Sequence, residues 1–443
     1  MATSLSRRDL IRSLSLAVLA VGAVDLLGGC SSDDPDSPRP DVDGGVRLVS
    51  ADVDRAAADP TAIPAAVASL HFLGSGLFAR LSGEPGNVAV SPYSVAVALA
   101  MTADGALGRT RDEMLAVLAA DSTDRLDAGL NALTQHVESL AGPQERGDGS
   151  EAEIALDAAN AIFGERTETW EQPFLETLAA SYGAGLQAVD FKNAAEDARV
   201  LINAWVAERT HARIDELIAA GLLDAMTRLV LVNALYLKAP WEEPFEKGST
   251  QDGDFDLGDE TIRVPMMHGY LDAASYAHGD GWQAVRMPYA GGDLAMTVVL
   301  PDDGREADVG NLVDAGGLVE VLAAPEPVGL VDLTLPRWTF RTQVSLADTL
   351  DALGMRTAFT QDADFSAMTH DEPLFVSAVV HEVFIAVDEE GTEAAAATAV
   401  VMEAGSAPAE PVTLVVDRPF LFVIHDVEHG TPLFLGRVSD PRG

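Results

Sequence analysis

Residues 389 to 398 read Glu-Glu-Gly-Thr-Glu-Ala-Ala-Ala-Ala-Thr, and this run restricts the fold more than any other stretch of the chain. Upstream, Ser377 to Val387 is apolar, carries β-branched residues and partly alternates, which predicts a strand feeding straight into the run. Gly391 tolerates backbone conformations that other residues resist. If the chain stays extended beyond it, Thr392, Ala394, Ala396 and Thr398 point to one face, and Glu393, Ala395 and Ala397 to the other. The first set is small enough to slip into a packed interior without steric conflict. Alanine is also the best intrinsic helix former, so taken alone the run reads as a surface helix or a linker. Motifs elsewhere in the chain decide between these readings.

Those motifs follow one another from about Ala65 to Val438. Asn87-Val-Ala-Val-Ser91-Pro92-Tyr-Ser94 leads on to Gly105-Ala106-Leu-Gly108-Arg-Thr110. Leu231-Val-Asn233-Ala-Leu-Tyr-Leu-Lys-Ala-Pro-Trp241 continues to Phe245, and Val264-Pro-Met-Met267, Met287-Pro-Tyr289 and Val299-Leu-Pro301 come next. Asp417-Arg-Pro419-Phe420-Leu-Phe-Val-Ile424 closes the series. In this order the strings resemble the serpins, and the 389 to 398 run resembles the hinge of inhibitory members almost residue for residue.

The resemblance implies an α+β fold of about eight to nine helices, one large mixed sheet, two smaller sheets and an exposed reactive-centre loop near 389–411. Local patterns agree with α+β. Val67, Leu70, Leu73, Leu77, Phe78 and Leu81 have the spacing of an amphipathic helix from Pro64 to Leu81. Ala194 to Gly221 reads as a helix with a glycine stop. Asp332 to Phe340, Val412 to Val416 and Phe420 to His425 read as short strands.

Function is implied by the same resemblance: an irreversible suicide-substrate inhibitor of serine proteases. The target cleaves the loop, becomes acylated on its own nucleophile, and is distorted as the loop inserts into the main sheet. A new strand of about twelve residues would form roughly ten backbone hydrogen bonds at about 1 kcal/mol net each. That rivals the 5 to 15 kcal/mol, on the order of magnitude, that holds a domain folded, so the native state is expected to be kinetically trapped.

By matching positions, Ser91, Ser94, Asn233 and His381 form the shutter beneath the parting strands. His381 also reads as a satisfied core histidine, and the two readings nearly coincide. Trp241, Arg337 and Glu389 form the breach where the loop enters, and Glu389, Glu390, Gly391, Thr392, Glu393, Ala394, Ala395, Ala396, Ala397 and Thr398 form the hinge. The usual family spacing from Gly391 places the bait bond at Gly405–Ser406, whereas counting back from Pro419 places it near Ala407 and Pro408. The loop is longer than the common pattern, and Met402 and Ala404 are candidates too. No Arg or Lys lies between Gly391 and Arg418, which excludes a good fit to trypsin-like pockets and suits elastase-like or subtilisin-like proteases. Papain-like cysteine proteases are the cross-class alternative. A non-inhibitory carrier or chaperone is a further one, against which stands a hinge free of bulky or proline residues.

Composition bounds the partners. A net charge of -42, with three lysines among 28 basic residues, argues against nucleic acid and anionic membrane surfaces. Asp121 to Glu138 carries almost no positive charge, so no heparin-like polyanion is expected. No G-x-S-x-G, H-E-x-x-H or phosphate-binding glycine loop occurs, so the chain does not read as an enzyme, and neither cofactor nor metal is expected. A monomer with one partner, a covalently trapped serine protease, is the expectation.

The first residues read as an address. Ser6-Arg7-Arg8-Asp9-Leu10-Ile11 resembles a twin-arginine export signal, and Leu14 to Leu27 is too short to span a bilayer comfortably. Leu27-Gly28-Gly29-Cys30 resembles a bacterial lipobox with Cys30 as the lipidated residue; an ordinary signal peptide with an incidental cysteine is the plainer alternative. Residues 1–29 are thus expected to be a signal peptide, 30–63 a disordered acidic and proline-rich tether, and 64–443 one domain. The resemblance of Ser31 to an outer-membrane sorting pattern implies a domain outside the cytoplasm, periplasmic or extracellular, attached only through the lipid. Cys30 is the sole cysteine, so the domain holds no disulfide despite export.

Overall fold

Periodic apolar residues buried on one side make the first long helix, Ile63–Leu81, with Leu70, Leu77 and Phe78 almost wholly inaccessible and a proline in its first turn. The next helix, Pro92–Ala103, is apolar all round, and each of its residues is buried. Such a helix belongs in the centre of a domain, and it packs between strands of two sheets. These elements belong to a computed structural model that describes residues 45–83, 85–305, 312–313, 317–393 and 410–443. Cys30, Ala394 to Thr398, Met402, Ala404, Gly405, Ser406, Ala407 and Pro408 lie outside the described residues.

Among the described residues there are eight α-helices and three sheets. The largest sheet is mixed and runs, edge to edge, through Arg47–Val49, Leu186–Val189, Glu151–Glu165, Leu229–Pro240, Gly391–Thr392, Ala378–Asp388 and Trp338–Ser345, with Gly142–Glu145 paired to Glu151–Glu165 off this path. Seven strands make the second sheet and four the third. The α+β expectation holds, and so do the strands anticipated near 377–387, 412–416 and 420–425, observed as Ala378–Asp388, Val412–Val415 and Phe420–Asp426.

Three expectations need correction. The tether does not reach residue 63: Arg47–Val49 pairs antiparallel with Leu186–Val189, and Arg55 bonds Glu138, Thr134 and Asn131. Enough side chains in 45–63 find partners on the domain to order this stretch. The helix expected over 194–221 is Phe191–Arg209 instead, because the Thr210 hydroxyl caps Val206 O and His211 and Ala212 then take left-handed backbone angles. Asp332 to Phe340 is two strands in different sheets, Val331–Pro336 and Trp338–Ser345, since Pro336 has no N–H with which to continue a ladder.

One buried acidic pair sets a pH dependence. Asp104 ends the central helix beside Asp127, whose carboxylate accepts a 2.6 Å hydrogen bond from the buried Tyr182 hydroxyl. Burial and the neighbouring Asp127 push the Asp104 carboxyl up to about 9. A carboxyl with a raised folded-state pKa favours the native state fully below its unfolded value of 3.8, and that contribution is lost as pH rises towards 9. Asp104→Asn is therefore expected to gain stability on the wild type between pH 5 and 8, by up to about 1.4 kcal/mol per pH unit, in urea unfolding at each pH. A constant difference between the two proteins would refute this.

Candidate functional site: a forked sheet and its first inserted rungs

Strands Leu229–Pro240 and Ala378–Asp388 run parallel, and pair directly from Val230↔Ala378 to Ala234↔Glu382. Above that point they part. Gly391 and Thr392 return between their far ends, pairing antiparallel with Asp388 and Val387 on one side and with Pro240 and Ala239 on the other. Between closed stem and seated hinge, Leu235–Lys238 and Val383–Ala386 face one another with no ladder pairing across the gap among the described residues.

Gly391 is required here by sterics. Its φ is +148°, and a Cβ would fall 2.2 Å from the Ala239 carbonyl oxygen. Thr392 is 1% exposed, and its hydroxyl meets the Tyr289 hydroxyl at 2.7 Å. Tyr289 in turn stacks on Trp241, with centroids 4.6 Å apart and planes 3° from parallel. Trp241 Nε1 donates to Asp388 O at 3.0 Å and its backbone N–H to Glu390 O at 2.9 Å. The aromatic stack is the floor on which the hinge rests.

Glu389 and Arg337, both placed near the loop entry by resemblance, meet in an ion pair whose carboxylate is buried. The Glu389 side chain is 2% exposed, takes a 2.7 Å bond from Arg337 Nε and is also bonded by the Thr250 hydroxyl. Burial pushes its carboxyl up, and the bonds from Thr250 and Arg337 outweigh that, leaving it below the ordinary range. Beside it Lys247 reaches Glu390 at 2.7 Å. Glu393 leaves the strand with φ +54°, and its buried carboxylate lies 3.1 Å from Arg213 Nε.

At the closed stem the four shutter residues come together. Asn233 and His381 are register partners, Ser91 N–H donates to His381 Nε2 at 3.1 Å, and Ser91 Oγ accepts from Ser94 N–H. Because Nε2 accepts, the proton sits on Nδ1, which donates to Asn233 Oδ1 at 2.5 Å. Burial pushes this imidazole down to about 4, so it is neutral at physiological pH. Asn233 Nδ2 is buried with no hydrogen-bond partner, which leaves this cluster one acceptor short.

Sequence reasoning missed several members. Asn160, opposite Asn233 on Glu151–Glu165, accepts from Ser94 Oγ at 2.5 Å. A lone Asn within Ala158-Ala159-Asn160-Ala161-Ile162-Phe163 was the available signal. Tyr289 stood inside a quoted motif without a role. Thr250, Lys247 and Arg213 carried no pattern, since only the folded chain brings them to the hinge.

The comparisons agree with this geometry. The model of the family described as serpin (serine protease inhibitor) matches residues 68–441. Bovine leukocyte elastase inhibitor is 37% identical over 371 residues, covering 80% of this chain and 93% of that protein. An uncharacterised serpin-like protein of Thermococcus kodakarensis is also 37% identical and covers 83% of each. Among solved structures, the thermophilic serpin tengpin in its native state superposes with a TM-score of 0.77 at 26% identity, over 89% of this chain and 100% of that one. On the family model and on these relatives, the chain belongs to the serpin family.

Proposed function

We propose that this protein is an irreversible suicide-substrate inhibitor of serine proteases of the elastase-like or subtilisin-like kind, acting on a lipid tether outside the cytoplasm. The observation that carries the reading is the pair of rungs at Gly391 and Thr392 above an unpaired gap. Continuing the same register residue by residue would set Ala396 opposite Leu235 and Val383, and Thr398 between Asn233 and His381. Glu393 to Ala396 would thus fill a gap that already exists. Ala397 onward would need the stem to part, at the point where the shutter bonds can be exchanged for ladder bonds. The small side chains of the hinge suit that passage, and the relative named a leukocyte elastase inhibitor supports the choice of protease.

The test is incubation with elastase, subtilisin and trypsin, read by denaturing electrophoresis. A complex surviving denaturation with elastase or subtilisin, and none with trypsin, is the expected result. Cleavage without any complex would favour a carrier and overturn the proposal. Mass spectrometry of the released C-terminal peptide fixes the cut bond, expected within residues 402–408.

A further inference from the structure

Four of the nine histidines, His71, His136, His425 and His429, lie close to one buried residue, Asp426, where strand Phe420–Asp426 turns towards Pro432–Val438; the His136 ring faces its carboxyl group and the His425 ring its main-chain carbonyl. His136 comes from the last turn of helix Thr123–Ser139, and Glu428 and His429 from the turn itself. One donor atom from each of His136, Glu428 and His429 can be chosen so that all lie within 4.8 Å of one another. The two imidazoles sit edge to face with centroids 4.7 Å apart. We propose that His136, His429 and Glu428 form a divalent transition-metal site, with zinc as its ligand, that ties the helix Thr123–Ser139 to the C-terminal hairpin.

The donor set decides the metal class. Two imidazoles and a carboxylate suit zinc and its first-row neighbours, whereas calcium and magnesium ask for all-oxygen shells. Tetrahedral coordination at about 2.0 to 2.2 Å brings donors to roughly 3.4 Å apart, so closure needs movements of about 1 Å. Glu428 is free to make them, being 72% exposed and already 3.9 Å from His429 Nε2. The histidines are about one-fifth exposed, open enough for an ion to enter and buried enough to hold their orientation.

The surroundings are built to keep the donors in place. Asp426 accepts the backbone N–H groups of His429 and Thr431, each at 2.8 Å, and lies 3.3 Å from His136 Nε2. His71 Nε2 is 2.9 Å from Gly430 O, and Val427 N–H donates to Asp293 O at 2.8 Å. The turn is therefore fixed from both sides, and the fully buried carboxyl group of Asp426 backs the imidazole of His136. A carboxylate behind a metal-binding histidine both orients the ring and raises its basicity. This departs from the expectation of no metal, which rested on the missing H-E-x-x-H pattern: His136 lies far in sequence from the adjacent pair Glu428 and His429. It stands independently of the protease-inhibitor reading.

The experiment is calorimetric titration of the full chain, purified without a polyhistidine tag, with zinc chloride and separately with magnesium chloride. One equivalent of zinc is expected to bind, with no heat from magnesium. His136→Asn and His429→Asn should each weaken zinc binding by at least about 10-fold, since losing a ligand costs no less than losing a residue that orients one. No zinc uptake by the wild type, or an unchanged affinity in either variant, would overturn the site. Should a variant fail to fold, histidine NMR of the wild type decides. Zinc is expected to move the His136 and His429 ring signals, and a shift confined to the other seven overturns the site.

Discussion

Thr392→Arg is expected to turn the inhibitor into a substrate. Protease should still cut the loop, but the complex that survives denaturing electrophoresis should disappear, and at least about ten molecules should be consumed for each protease trapped. Thr392 occupies the second inserted rung, 1% exposed, between Ala239 and Val387 and against the Tyr289 hydroxyl. A guanidinium there meets apolar strands and aromatic rings. Burying it unpaired costs several kcal/mol, on the order of the whole net gain from a few new ladder bonds. The entry then becomes slow relative to hydrolysis of the acylated protease, which escapes. A variant that trapped protease as completely as the wild type would remove the basis for sheet insertion.

Trp241→Ala is expected to have the largest effect on stability, about 3 to 5 kcal/mol. The side chain is 1% exposed, stacks on Tyr289 and donates from Nε1 to Asp388 O. Its loss removes the floor beneath Gly391 and Thr392 together with the bond that holds the end of Ala378–Asp388. For a fold expected to be kinetically trapped, the informative measurement is the unfolding rate in urea. If the change falls wholly on that limb, unfolding accelerates by about two to four powers of ten. Trp241→Phe keeps a ring on the stack, loses the hydrogen bond, and should fall between the two. A change below about 1 kcal/mol in Trp241→Ala would mean that the hinge is held elsewhere.

Where local chemistry sets the outcome, the sequence is a good guide. The apolar spacing from Val67 to Leu81 is enough to place a helix, and the β-branched run before Asp388 is enough to place a strand. Resemblance was enough to group Ser91, Ser94, Asn233 and His381, which the fold brings into contact, and Gly391 explains itself once a Cβ is found to collide with Ala239. Boundaries set by distant contacts were not legible. A threonine at 210 is too common inside helices to announce an end at Arg209; the following segment is also pinned because Arg341 and Gln343 donate to the carbonyls of Arg213, Glu216 and Leu217 from another strand. The depth of Glu389 was hidden for the same reason, since its neighbours Thr250 and Arg337 come from separate stretches of the chain. Two residues adjacent in space but 52 or 139 apart in sequence leave no periodic trace.

The two rungs at Gly391 and Thr392 also change the kinetic character of whatever follows cleavage. A free strand approaching an open sheet must first find its register and close a loop, both entropically costly. Here alignment was completed when the chain folded, so a severed loop would enter by elongation from a seed. Its pace would depend on how readily each next residue displaces what stands in its way, beginning with the Glu393 carboxylate held beside Arg213. That contact, rather than any search for the slot, would start the clock against which the acylated protease must free itself.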